Sequence, residues 1–235
     1  MHKSTITISG SHGNNLSFLV PFDFANGLQI SERNLPHWQQ DKVTYFITFR
    51  LADSIPQVKL EQLKTEQDNW LKHHSQPYSN EEIDEYKKLF HETIHTWLDA
   101  GDGSCILKEE INLIIIENAL NHFKDTRYLL HDWVIMPNHV HLLLTPINGF
   151  TLKKIMHSMK SWTANEINKS TGRSGKLWQD ESYDHIVRNA KQLRAISKYI
   201  IMNPVKAGLK RGFRTSPTET GNNINTHRQD ACATL

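Results

Sequence analysis

The chain has few cysteines, no long apolar run and no leader-like start. Cys105 and Cys232 are its two thiols, and their spacing matches no metal site or redox pair. So few cysteines suit a reducing cytosol, where disulfides are rare. The apolar run 113–116 is far too short to cross a bilayer, and the first residues lack the basic and apolar regions of a signal peptide. We therefore expect a cytoplasmic protein with no membrane partner.

The net charge is small, at +2, but the charged residues are unevenly distributed along the chain. Residues 151–214 contain 14 Lys and Arg against 4 Asp and Glu, whereas the rest of the chain contains 13 against 21. A basic third favours a polyanion partner, although Lys and Arg on exposed helix faces are also common. Three of these residues recur at i, i+3 and i+7 of one predicted helix. The candidates for DNA contact are Lys153, Lys160, Arg173, Lys176, Arg188, Lys191, Arg194 and Lys198.

Alternating and helical apolar patterns predict an α+β protein. Strands are predicted at 43–51, 127–136, 139–144 and 183–187, with Pro137 and Asn138 as a hairpin turn. Helices are predicted at 107–123, 151–168 and 191–203, the last ended by Pro204. This order indicates a βαββαβ ferredoxin-like or RRM-like antiparallel sheet with helices on one face and a helical insertion after the first strand.

Composition along the chain predicts its domain organisation. Residues 1–40 are expected to be an N-terminal extension, partly disordered, and residues 213–235 a disordered tail. Residues 41–212 are expected to form the functional domain, with the insertion at about 56–104. Within the insertion, Ser79 and Glu82 have the spacing of a capping box at a helix start.

Two short motifs suggest chemistry on a phosphodiester. His139 and His141 alternate on a predicted strand, so both imidazoles lie on one face, about 6.6 Å apart along it. Tyr199 and Asn203 are one helical turn apart and share a face. Two imidazoles and an amide oxygen can hold a divalent ion, and a phenol can attack phosphorus. Each motif alone is equally typical of a structural role.

A competing motif lies in the insertion. His91, Glu92 and His95 match the H-E-x-x-H pattern of zinc metalloproteases, in which two His bind zinc and Glu is the general base. Leu98 stands where the extended motif needs Gly, and the third His is missing. We therefore expect these residues to lie on the surface of an amphipathic helix and the protease interpretation to fail.

Three aromatic residues lie among the basic ones. Trp162, Trp178 and Tyr183 can stack on unpaired bases. Aromatic side chains more often belong to the core, and we expect this for Trp162.

Several segments together resemble one transposase family. The resemblance covers roughly residues 36–210, and its combined motifs are highly specific. The family is the REP-associated tyrosine transposases of the single-tyrosine HUH (IS200-like) superfamily, whose signature is His-hydrophobic-His plus one catalytic tyrosine. The segments that carry the resemblance are 45–54, 133–141, 160–165, 177–179 and 199–209.

The resemblance implies a specific activity and specific roles. His139 and His141 would be metal ligands, Asn203 the third ligand and Tyr199 the nucleophile. The function would be a metal-dependent single-stranded DNA endonuclease and strand transferase that cuts near hairpins of REP-like repeats through a 5′-phosphotyrosine. The donor set suits Mg²⁺ or Mn²⁺. A non-cleaving regulator that binds DNA hairpins is the alternative, and both a monomer and a homodimer remain open as the active unit.

Overall fold

The computed structural model describes residues 29–32, 36–39, 42–75 and 77–217. A separate antiparallel pair is formed by β1 (Gln29–Glu32) and β2 (Pro36–Gln39). The central sheet has five strands, and all its pairings are antiparallel. These strands are β3 (Tyr45–Arg50), β4 (Tyr128–Ile135), β5 (His139–Pro146), β6 (Tyr183–Ile186) and β7 (Arg214–Thr215), in the spatial order β6–β3–β5–β4–β7.

Six α-helices accompany the strands in the described part of the chain. They are α1 (Gln57–His73), α2 (Asn80–Tyr86), α3 (Glu92–Asp99), α4 (Glu110–His122), α5 (Leu152–Thr171) and α6 (Ala190–Lys206), and a π-helical turn (Lys87–His91) joins α2 to α3. The order β3, α4, β4, β5, α5, β6 is the predicted βαββαβ core, and α1 to α3 lie between its first strand and α4. The predicted antiparallel α+β fold is confirmed.

The helices lie on both faces of the sheet, so the expectation of one helical face was wrong for α6. Residues such as Ile47 and Phe49 of β3 pack against α4 and α5. Phe46 and Leu143, which point the other way, pack against α6. The reason is that the central strands have apolar side chains on both faces, and every residue of β5 is buried. The face that carries His139 and His141 is therefore the face that α6 covers.

Helix α6 does not end at Asn203 as predicted. It continues to Lys206 with Pro204 inside it, and the Asn203 carbonyl accepts a hydrogen bond from the N–H of Ala207. Proline costs a helix one hydrogen bond, and burial of the Pro204 ring offsets part of that cost. Asn203 is consequently held in rigid helix.

The ordered chain extends past the predicted boundary at residue 212. Phe213 is buried, and β7 pairs with Val134 and Ile135. The N–H of Ser216 donates to the Trp133 carbonyl, and its hydroxyl accepts from the Trp133 N–H. These bonds pair the edge of β4 and place residues 213–216, which the sequence assigned to the tail, in the sheet. Residues 218–235, and residues 1–28 of the predicted extension, lie outside the described residues, whereas β1 and β2 fall within that extension.

The insertion has a small core of its own and is tied to the sheet. Leu63, Trp70 and Phe90 form that core. The capping box is confirmed, because the hydroxyl of Ser79 accepts from the N–H of Glu82 and the Glu82 carboxylate accepts from the N–H of Ser79. The end of α3 then meets the β4–β5 turn, which fixes the insertion over the sheet.

A histidine on β4 makes the stability of this fold depend on pH. His131 Nε2 lies 2.9 Å from the hydroxyl of Thr145, and burial lowers its pKa to about 4. Below about pH 6.5 the unfolded chain binds a proton that the folded chain does not, so unfolding becomes easier until about pH 4. We expect His131 alone to account for about 1–3 kcal/mol of the stability lost across that range in denaturant titrations. His131→Gln should lose less, whereas His73→Ala, at an exposed position, should behave as wild type.

Candidate metal and nucleophile site

Two buried imidazoles converge on one point beneath α6. His139 and His141 are both fully buried on β5, and their Nε2 atoms are 3.0 Å apart. Alternation along the strand places both rings on the same face, as the sequence predicted. Two nitrogens that each lie about 2.1 Å from one octahedral ion, at right angles, would be about 3.0 Å apart. The spacing therefore suits two ligands of a single ion.

Neighbouring groups orient these rings. The Asn138 amide donates to the carbonyls of Leu98 and Asp102, so its oxygen must face His139 Nδ1, at 2.7 Å. That oxygen accepts the Nδ1 proton of His139 and leaves the Nε2 lone pair free for a ligand. The Thr48 hydroxyl lies 2.7 Å from His141 Nδ1, where it can do the same.

Burial keeps both imidazoles neutral at pH 7. It lowers the pKa of His139 to about 3 and holds the pKa of His141 well below its usual value, with nearby imidazoles adding to both effects. Neutral imidazole is the form that binds metal. When the Thr48 hydroxyl accepts the Nδ1 proton of His141, the Nε2 lone pairs of the two histidines face each other at 3.0 Å. A cation bound between them would relieve that repulsion.

Helix α6 brings Tyr199 and Asn203 to the same point. The Tyr199 hydroxyl lies 3.3 Å from His141 Nε2. Asn203 is fully buried, and neither its amide oxygen nor its amide nitrogen has a hydrogen-bond partner among the described residues. A buried polar group without a hydrogen bond lowers the free energy of unfolding by about 1–3 kcal/mol, so its presence needs a physical reason. An amide oxygen reserved for a ligand is one such explanation.

The donor set also limits the third ligand. Within the part of the chain that the structure describes, no group of three or more His, Cys, Asp or Glu side chains is arranged to hold a metal ion. A third protein ligand beside His139 and His141 would therefore be a residue of another type, for which the Asn203 amide oxygen is a candidate. This is the residue that the family resemblance implied.

The Tyr199 phenol is strongly disfavoured as an anion in this state. Burial raises its pKa well above the usual value, and the Asp99 carboxylate raises it further, while the Asn203 amide has a smaller opposing effect. Tyr199 is thus protonated at pH 7. Positive charge must be supplied close by before its oxygen can become a strong nucleophile.

His95 was missed by the sequence analysis, which placed it on the surface. Its Nδ1 lies 3.4 Å from the Tyr199 hydroxyl, and its ring packs against the rings of His141 and Phe46. Burial lowers the pKa of His95 to about 4. The H-E-x-x-H spacing did single out this residue, but for a protease site. His95 belongs instead to the site on β5 and α6, which removes one of the two proposed zinc ligands.

The predicted DNA contacts fall into two groups. Lys191, Arg194 and Lys198 are exposed on α6, the helix that carries Tyr199. Arg188 lies partly buried, just before that helix. The remaining candidates are on α5 and the loop after it, and α5 packs on the opposite face of the sheet. The structure therefore brings the first group, but not the second, to the tyrosine helix.

The second group surrounds a cleft. Lys153, Lys160 and Lys176 line a cavity of about 530 Å³ between α5 and residues 175–184. Lys160 is half-buried, and its ammonium donates to the carbonyls of Gln179 and Asp180 and to the Ser182 hydroxyl, so it anchors the loop. Lys176 pairs with the Asp180 carboxylate at 2.8 Å, while Arg173 and Lys153 are exposed.

The aromatic candidates also separate. Trp178 is buried and its indole N–H donates to the Thr163 hydroxyl, whereas Trp162 is 46% exposed. The core prediction for Trp162 was therefore wrong, because α5 turns this position away from the sheet. Tyr183 packs beside the site, with its ring edge-on to His95 and Phe46.

The fold and the site define a class: an antiparallel α+β domain with two convergent imidazoles on a central strand and a tyrosine on a covering helix. Residues 104–203 match the family model described as Transposase IS200 like. That range contains His139, His141, Tyr199 and Asn203. The resemblance to this family is thereby confirmed over residues 104–203, and α3 lies outside the match.

One curated protein and one solved structure are similar to the chain. The REP-associated tyrosine transposase of Escherichia coli (strain K12) is 32% identical over 88 residues, which are 36% of this chain and 49% of that protein. The chain thus matches about half the length of this curated relative. A solved structure, titled as a REP-associated tyrosine transposase bound to a REP hairpin, aligns at 18% identity and a TM-score of 0.39, over 71% of this chain and 68% of that one. Among the described residues, no helix is long and apolar enough to span a membrane.

Proposed function

We propose that the protein is a metal-dependent, single-stranded DNA endonuclease and strand transferase that cuts near hairpins. One observation carries this proposal: the two His Nε2 atoms lie 3.0 Å apart, the Tyr199 hydroxyl lies 3.3 Å from that of His141, and the buried Asn203 amide, one helical turn from Tyr199, has no hydrogen-bond partner among the described residues. The family match over residues 104–203 and the transposase relative support it. We also propose that residues 41–217, including the insertion, form the catalytic domain.

The chain's own residues have defined roles in this reaction. The Tyr199 oxygen attacks phosphorus in line and forms a 5′-phosphotyrosine, while the bond from phosphorus to the 3′ oxygen breaks. Tyr199 gives up its proton, and the departing 3′ oxygen gains one. Because the new ester conserves the energy of the phosphodiester, a second 3′-hydroxyl can later displace Tyr199 and rejoin the strand without ATP.

His139, His141 and Asn203 would hold the divalent ion, which suits Mg²⁺ or Mn²⁺. When bound, such an ion polarises the scissile phosphate and neutralises the charge that develops on it. Asn138 and Thr48 fix the two rings, so the site is preorganised. The exposed Lys191, Arg194 and Lys198 on α6 would hold the phosphates that flank the scissile bond.

A cleavage assay tests the proposal. The substrate is single-stranded DNA from the flanks of the gene, carrying a hairpin and labelled at its 3′ end, with and without Mg²⁺ or Mn²⁺. We expect cleavage only with the ion, and a labelled protein adduct that survives denaturation. Cleavage without an adduct would indicate a hydrolytic nuclease. Hairpin binding without any cleavage would favour the non-cleaving regulator.

The binding preference gives an independent prediction. The protein should bind single-stranded or hairpin DNA more tightly than a blunt duplex, because unpaired strands can enter the site. Between 50 and 200 mM salt, a protein with six to ten phosphate contacts loses about 10³–10⁵ in affinity. We expect a clear part of that salt dependence to disappear in the triple variant K191A/R194A/K198A, measured by fluorescence anisotropy. Equal affinity for a plain duplex would contradict the proposed strand preference.

A further inference from the structure

Helix α3 meets α6 along one line of side chains. His95 contacts Tyr199, with Nδ1 3.4 Å from the phenol oxygen. One turn further along each helix come Asp99 and Asn203, which have the same i,i+4 relation to that first pair. Burial raises the pKa of Asp99, and the Asn203 amide and the Lys206 ammonium, which both lie close to the carboxylate, oppose that rise. The Asp99 carboxylate in turn adds to the effect of burial in raising the pKa of Tyr199. Asp99 thus faces the predicted third ligand.

Both partners of this second pair hold unused polar atoms. Within the described residues, Oδ1 of Asp99 and both amide atoms of Asn203 are buried without a hydrogen bond. The Asp99 oxygen is an acceptor and the Asn203 nitrogen is a donor, so the two are complementary. If the nitrogen turns to Asp99, the amide oxygen points away from Asp99 and is free for an ion.

The position of Asp99 in its helix is unfavourable by itself. Asp99 is the last residue of α3, and no basic residue lies in that turn. A negative charge at a helix C-terminus opposes the helix dipole. Helix stability therefore gives no reason for a carboxylate here. Because the charge of Asp99 does not stabilise α3, its replacement should leave the insertion folded. The insertion is held by the core of Leu63, Trp70 and Phe90 and by the hydrogen bond from Asn138.

We propose that Asp99 is a positioning residue that orients the Asn203 amide, so that the insertion helix completes the metal site. The inference rests on the proposed function, since it requires an ion at His139 and His141. Groups that hold a metal ligand in place in this way typically change metal affinity 10–100-fold when they are removed. The insertion, which lies before the matched family region, then has a specific task at the site.

The test measures Mn²⁺ binding to the full chain without DNA, by calorimetry. We expect Asp99→Ala to weaken binding about 10–100-fold. Asp99→Asn should bind within about threefold of wild type, because its amide oxygen can still accept from Asn203. Glu92→Gln removes an exposed carboxylate from the same helix and should bind as wild type. Thermal unfolding of each variant verifies that the fold is intact.

A double-mutant cycle distinguishes positioning from direct charge effects. If Asp99 acts through the amide, Asp99→Ala should have no further effect on Mn²⁺ affinity in an Asn203→Ala background. Wild-type affinity in Asp99→Ala, or equal losses in Asp99→Asn and Asp99→Ala, would overturn the inference while leaving the proposed function intact. A wild-type protein that binds no Mn²⁺ would contradict the metal site and this inference together.

Discussion

Replacing His139 or His141 by alanine is expected to abolish DNA cleavage, with a loss of at least about a hundredfold for each variant. The two Nε2 atoms lie 3.0 Å apart and face the same point, so each imidazole would supply a separate ligand and neither can replace the other. Mn²⁺ binding by calorimetry should fall in parallel with the cleavage rate. Hairpin binding should change little, because phosphate contacts on α6 are untouched.

The control for these variants is His73→Ala. His73 is exposed on α1, and its Nδ1 lies 2.7 Å from the carbonyl oxygen of Asn69, one turn earlier in the same helix. This variant should cleave at the wild-type rate. Full metal-dependent cleavage by the double variant H139A/H141A would show that the ion binds elsewhere and would remove the metal assignment.

Replacing Tyr199 by phenylalanine should eliminate the covalent adduct and reduce cleavage by at least about 10⁴-fold, as loss of a nucleophile does in other covalent enzymes. The substitution removes one oxygen and keeps the ring, whose edge packs against Phe46. The fold and Mn²⁺ binding should therefore be unchanged. Cleavage is measured with 3′-labelled hairpin DNA, and the adduct by its survival on a denaturing gel.

Peptide mapping of the wild-type adduct separates the two tyrosines near the site. Tyr183 packs beside His95 and Phe46, and burial raises its pKa to about 12. Tyr199 is the better candidate because its hydroxyl lies 3.3 Å from His141 Nε2 and one turn from Asn203. Tyr183→Phe should still form the adduct. Label on Tyr183 would mean that Asn203 loses its role as well.

Local patterns were enough to predict the parts of the site within residues 104–203. A strand alternates with period two, so His139 and His141 had to share a face, and the structure places them so. A helix brings i and i+4 together, which paired Tyr199 with Asn203. Short-range spacing also decides which segments become strands, and the order of strands and helices along the chain predicted the antiparallel βαββαβ core.

Contacts between segments far apart in the chain could not be predicted from local sequence patterns. Because the central strands are apolar on both faces, their pattern could not predict that α6 covers the histidine face. His95 was expected at the surface, yet it lies beside Tyr199, 104 residues away along the chain. Trp162 was expected in the core and is exposed. In each case the outcome depends on which face of a helix meets the sheet.

The sequence by itself determined which residue types the site would contain and which pairs of them would share a strand or helix face, because backbone periodicity acts over a few residues. Only the tertiary structure decided that β5, α6 and the insertion helix meet at one buried point. That meeting results from packing of apolar faces across the sheet, and it brings His139, His141, Tyr199 and His95 within contact of one another.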